Sequence, residues 1–188
     1  LVDRKVEQLH SDLVGLNNAD AVLQAINHLD ERGYRDIVLV SEQQEGTSSR
    51  LERVTAFNSL IAERTHLRGQ VLETSDQLGL QLQAFLAAPG PGPKALFTGN
   101  GVATLTCTRL LRELGCPLFD DIGLIALDEL DWYPLVGSGI TSLAQPTHEI
   151  GVTAFECLLN RLRGEQEPVR SFDFTAQLIV RGSTRPRP

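Results

Sequence analysis

Residues 124–146 read LIALDELDWYPLVGSGITSLAQP. LIAL is apolar without alternation, which suits a strand covered on both faces rather than one with a wet side. It stops abruptly at Asp128, Glu129 and Asp131, with the only tryptophan, Trp132, beside them. A glycine-rich turn leads to a second short apolar run, ITSL (140–143), and then to Gln145. Apolar strands that finish in polar residues fit an open parallel sheet, where ligands gather beyond the carboxyl ends of the strands. Two chemistries suit the acids: a metal or acid–base site, and a polar cup for a small hydroxylated ligand.

Working outward, strand and helix patterns alternate. LVD (1–3) reads as a strand end and DLVGL (12–16) as a short strand. Asn17 or Asn18 then caps a helix to about Arg32, with Ala21, Val22, Ala25, Ile26 and Leu29 on one face, and Gly33 ends it. DIVLVS (36–41) is a buried strand, QQEGTSSR (43–50) a loop, and about 49–64 a helix. QVLET (70–74), KALFT (94–98) and DIGLIAL (121–127) are further strands, separated by helices over about 76–88 and 100–114. Thr147 is expected to cap a helix to about Arg163, SFDFTAQLIVR (171–181) to form one or two strands, and STRPRP to fray. Repeated strand–helix units predict an α/β fold with a mostly parallel, Rossmann-like sheet flanked by helices.

Composition narrows the function. The 188 residues carry a net charge of -7, and an acidic chain with no basic stripe is by itself a poor nucleic-acid binder. No apolar run is long enough to span a bilayer. Cys107, Cys116 and Cys157 are odd in number and lack CxxC spacing, which suits reduced thiols in a cytoplasmic protein. The opening LVDR, apolar and without a signal-peptide pattern, reads as an internal stretch of a longer chain.

Polar residues fall at five expected strand ends: Asp3 and Arg4 after LV, Ser48, Ser49 and Arg50 after IVLVS, Asn100 after ALFT, Asp128 after LIAL, and Gln145 after ITSL. Such a set suits a sugar or sugar acid. A carboxylate accepts from neighbouring hydroxyls, an amide donates and accepts, and an arginine fork grips a carboxylate or a hydroxyl pair. Trp132 would add an apolar platform for a ring. Plainer roles remain open for each: Asn100 as a helix cap, Asp128 as a loop acceptor, Arg50 as a surface charge, Asp3 and Arg4 as a surface pair, Gln145 as part of a hinge, Trp132 as a packing anchor. Glu129 and Asp131 are expected to satisfy the loop or solvent. An enzyme would need more. No histidine lies near DELD, and there is neither a GxSxG elbow nor a P-loop. No cofactor and no metal are expected.

Several segments in fixed order carry a resemblance: LVDR, VGLNNADAVLQAINHLDERGYRDIVLVS, SSRLERVTAF, ALFTGNGVATLTCTRLLRELG and DIGLIALDELDWYPLVGSGITSLAQPTHEIG. Together they resemble the effector-binding core of the lactose-repressor family of bacterial transcription regulators, over essentially the whole chain. The resemblance implies a type I periplasmic-binding-protein-like fold with the second lobe only partly present. Residues 1–16 would end the amino-terminal lobe, 17–143 form the carboxyl-terminal lobe, 144–165 return to the first, and 166–188 return to the second and end in a tail. It implies ligand roles for Asp3, Arg4, Asn100, Asp128 and Gln145, beside Ser49 from its place after a strand end. Arg50 lies within one residue of a cleft arginine, with Arg53 the alternative. Gly101 replaces the acid that usually follows the asparagine, and Leu127 a frequent aromatic. The stretch 128–151 is most similar to sensors of ketogluconate-type sugar acids. A cytoplasmic homodimer is implied, with operator DNA held by a helix-turn-helix upstream of this chain. A periplasmic sugar-binding protein of a transport system is the alternative.

Overall fold

The computed structural model describes residues 1–6, 8–43, 47–116 and 119–187. Two sheets divide the chain. The smaller pairs β1 (Leu13–Leu16) in parallel with β7 (Ser171–Phe174). The larger has six strands in the order β3 (Arg68–Glu73), β2 (Asp36–Ser41), β4 (Lys94–Thr98), β5 (Ile122–Leu127), β6 (Thr141–Ala144) and β8 (Gln177–Ile179). All neighbours in it run parallel except β6 and β8.

Hydrophobic pattern explains the layering. Every residue of β2 and β5 is buried, as unbroken apolar strands between two helix layers require. One face is covered by α1 (Asn18–Glu31) and α2 (Ser48–Glu63), through Ala21, Val22, Ile26, Leu29 and Phe57. The other is covered by α3 (Leu78–Ala87) and α4 (Gly101–Glu113), through Leu78, Leu82, Phe85, Cys107 and Leu111. Helix α5 (Thr147–Leu162) packs instead on the small sheet, where Ile150 and Cys157 meet Val14.

Of the two asparagines expected to cap α1, Asn17 does so, with its side chain accepting from Asp20 N at 3.0 Å. Other expectations need correction. Thr147 is the exposed first residue of α5 and not its cap; Pro146 takes that place without a side-chain bond. Of the loop expected at 43–50, residues 44–46 lie outside the described residues, and Ser48–Arg50 already belong to α2. SFDFTAQLIVR splits between sheets: β7 joins β1, so the chain enters the large sheet after Phe174 and not near 166. The tail does not fray through 187. Ser183 and Thr184 are buried, Arg185 pairs with Asp120 at 2.5 Å, and the Arg187 guanidinium lies over the Tyr34 ring.

Candidate ligand-binding site

The polar strand ends converge along the carboxyl edge of the large sheet, and the segment beside β1 joins them from the small one. The backbone marks the place. Three described non-glycine residues have positive φ, and two are the cleft aspartates, Asp3 at +56° and Asp128 at +73°. Aspartate tolerates this left-handed region better than most residues, and such departures gather at functional sites.

Asp128 leaves β5 with its amide still donating to Leu143 O at 3.1 Å, so the ladder to β6 holds while the side chain turns along the edge. Its Oδ1 accepts from Gln145 Nε2 at 2.5 Å, and its Oδ2 from Gly101 N at 3.3 Å. That amide is at the first turn of α4, where the positive end of the helix dipole favours an anion. A β-carbon at Gly101 would sit 2.5 Å from Leu130 Cδ1. The acid that would follow the asparagine therefore has no room here unless Leu130 shifts.

Asn100 caps α4: its Oδ1 accepts from Ala103 N at 2.8 Å, while Nδ2 donates to Glu42 Oε2 at 2.5 Å. Asn100 thus caps the helix while its amide nitrogen meets Glu42 at the end of the neighbouring strand. Arg50 Nη2 donates to the same Glu42 Oε2 at 2.5 Å, and Nη1 to Gln43 O at 2.8 Å.

Arg53, one helical turn along α2, is the arginine set deepest. It is 9% exposed, its Nε donates to Ser49 O at 3.0 Å, and its Nη1 to Gly99 O at 2.5 Å. Burial pulls its pKa below the ordinary guanidinium value, opposed by the charges of Asp3 and Asp128. Asp3 faces it from the other sheet. Burial raises the Asp3 carboxyl above its usual range, against the pull of Arg53 and a hydrogen bond from Ser49, while the like charge of Asp128 adds to the rise. Gly15 makes this approach possible, because a β-carbon there would lie 3.1 Å from Asp3 Cα. Arg4 is exposed at the rim, its charge acting on Asp3.

Trp132 stands apart. Its half-buried indole meets Tyr133 edge-on, with ring centroids 4.6 Å apart, and packs on the α3–α4 layer. Tyr133 Oη donates to Thr104 Oγ1 at 3.1 Å, and burial pushes this phenol up to about 12. Glu129 serves the loop: it forms a two-bond pair with Arg181, at 2.6 and 3.0 Å, and accepts from Ser142 Oγ. Asp131 is exposed.

The structure therefore brings together Asp3, Ser49, Arg50, Asn100, Asp128 and Gln145, and adds Arg53 and Glu42. Glu42 follows DIVLVS directly, so the strand-end rule that singled out Asn100 and Asp128 points to it as well. Among the described residues no group of three or more His, Cys, Asp or Glu is placed to hold a metal ion, and no helix is long and apolar enough to cross a membrane.

Comparison with known proteins places this geometry. Residues 26–184 match the periplasmic binding protein-like domain. The HTH-type transcriptional regulator PtxS of Pseudomonas aeruginosa is 68% identical over 187 residues, covering 100% of this chain and 55% of its own length. A probable opine utilization operon repressor of Rhizobium rhizogenes is 32% identical over 180 residues, covering 89% of this chain and 90% of its own. A ribose-bound LacI family transcriptional regulator from Enterococcus faecalis superposes over 100% of this chain and 68% of its own, with a TM-score of 0.84 and 25% identity. The chain thus spans about half the length of the Pseudomonas relative. The relatives are regulators, which favours an effector domain over a transport component. The chain belongs to the periplasmic-binding-protein-like domain family, as an effector-binding domain of the lactose-repressor type.

Proposed function

We propose that the complete protein is a transcription regulator whose effector is a six-carbon sugar acid of the ketogluconate type, bound between the two sheets. The carrying observation is convergence. Asp128, Asn100 and Gln145 come from three strand ends of one sheet, and Asp3 meets Ser49 and Arg53 across from the other. Asp128, Asn100, Gln145 and Asp3 suit ligand hydroxyls, and Arg50 and Arg53 suit a carboxylate. Ser49 and Arg4 complete the wall and the rim, and Trp132 reports on the edge beside it. The ligand favours the closed arrangement, and it changes operator affinity only through that preference.

Operator DNA would be bound by a helix-turn-helix outside this acidic chain, in a cytoplasmic homodimer. The dimer reading is supported by Leu80 on α3, Val102 and Leu105 on α4, and Leu135 in the turn after β5, all exposed large apolar residues. The experiment is calorimetric titration of the complete protein with 2-ketogluconate, beside an operator-binding assay at the same ligand concentrations. Saturable binding that shifts operator affinity supports the reading. Saturable binding with no effect on the operator, or no binding at all, counts against it.

A further inference from the structure

We infer that Glu42 is a resident stand-in for the effector's carboxylate, which an acidic effector must displace; this rests on the sugar-acid reading above. The geometry is specific. One oxygen, Glu42 Oε2, receives both Asn100 Nδ2 and Arg50 Nη2 at 2.5 Å. The two donors come from different elements, the cap of α4 and the first turn of α2. A second polar atom of each donor is already engaged: Asn100 Oδ1 with Ala103 N, and Arg50 Nη1 with Gln43 O. Neither residue can turn freely toward a new partner, so the place where their N–H groups meet is fixed, and an anion already fills it.

Two donors converging on one oxygen form the seat that a ligand carboxylate requires. Glu42 is half-buried on the last turn out of β2, and it can swing into water at the cost of those two bonds. Charge makes the exchange one for one. Asp3, Asp128 and Glu42 already stand around Arg50 and Arg53. A further anion added beside Glu42 meets like-charge repulsion in a partly dry cleft. An effector carboxylate that takes the seat while Glu42 moves out keeps the balance unchanged. A neutral sugar has no carboxylate to exchange and would leave Glu42 where it is. Glu42 therefore sets a threshold against acidic ligands and favours those that replace its bonds best.

The test uses the complete protein and two probes that share a carbon skeleton: 2-keto-D-gluconate, and D-fructose, in which a hydroxymethyl group replaces the carboxylate. The variants are Glu42→Gln, which keeps size and bonding but removes the charge, and Glu42→Ala, which empties the seat. Both should bind 2-ketogluconate on the order of tenfold more tightly than the unaltered protein, the scale of a charged hydrogen bond regained without competition. The ratio of 2-ketogluconate to D-fructose affinity should rise by about threefold or more in Glu42→Gln. Unaltered or weaker 2-ketogluconate binding in both variants, with the unaltered protein binding it, overturns the inference and leaves the sugar-acid reading standing. Equal tightening for both sugars also overturns it, since the carboxylate would then be irrelevant. If neither the unaltered protein nor the variants bind 2-ketogluconate, the sugar-acid reading fails and this inference with it.

Discussion

The two edges of the large sheet carry similar numbers of polar groups and use them differently. At the amino edge, Arg68, Asp36 and Lys94 open three adjacent strands in register. Asp36 is 1% exposed and takes two bonds from Arg68, at 2.9 and 2.5 Å. Lys94 Nζ closes the end of α3 through the carbonyls of Phe85, Leu86 and Ala88. The small sheet repeats the pattern: Asp12, just before β1, accepts from Arg161 Nε and Nη2 and from Arg170 N. At the carboxyl edge, Glu42 joins Asn100 and Arg50, and Asp128 joins Gln145, through bonds between side chains, and Asp128 holds Gly101 N only at 3.3 Å. Bonds to backbone and to buried opposite charges fix turns. Bonds between side chains of one cleft can be exchanged for bonds to a ligand. The first edge holds the fold, and the second is the one proposed to take the ligand.

This contrast is open to attack at several points. The largest effect should come from Asp36→Ala. It removes a buried carboxylate and its two bonds, while the half-exposed Arg68 stays hydrated, which should cost about 1.5–3 kcal/mol in denaturant unfolding. Effector affinity should be unchanged, and a loss of affinity in a folded variant would break the division between edges.

Asp12→Asn should cost about 1–3 kcal/mol by the same measurement. The bond from Arg161 holds the Asp12 carboxyl down to about 2. A depressed carboxylate pKa contributes stability that is complete above the unfolded value, near 3.9, and is lost as pH falls toward 2. The unaltered protein should lose that part of its stability between these values, and Asp12→Asn should show a flatter acid limb. Equal acid limbs would show that the pair does not contribute.

Gly101→Ala brings a β-carbon against Leu130 and should cost about 1–2 kcal/mol of stability. Because the Gly101 amide also holds Asp128, effector affinity should fall with it. Trp132 should give the smallest signal, a saturable change in emission on adding 2-ketogluconate. Its indole contacts Tyr133, whose hydroxyl donates to the Leu127 carbonyl just before Asp128. A silent tryptophan during calorimetrically proven binding would place the ligand away from the 128–133 turn.

Much of this was legible in the sequence because its determinants are local. Continuous apolar runs located β2 and β5, and the strand-end rule found Asp128, Asn100 and Gln145. Three things depended on distant contacts. The choice between Arg50 and Arg53 rests on which face of α2 meets Gly99 and Asp3, a tertiary fact. The tail looked free because STRPRP carries turn formers and charge, yet Arg187 finds Tyr34 and the carbonyls of Phe119 and Asp120. The split of 171–181 between sheets follows from β7 pairing with β1, more than 150 residues away, which no local pattern encodes.

The central claim is that the carboxyl edge, led by Asp128, binds the effector while the amino edge does not. Calorimetric titration of the complete protein with 2-ketogluconate, in unaltered form and as Asp128→Asn and Asp36→Ala, tests it directly. Asparagine tolerates the positive φ, so Asp128→Asn should fold normally. The prediction is a loss of about 10- to 100-fold in affinity for Asp128→Asn, about 1.4–2.7 kcal/mol, and no change for Asp36→Ala. Unchanged affinity in a folded Asp128→Asn would contradict the account.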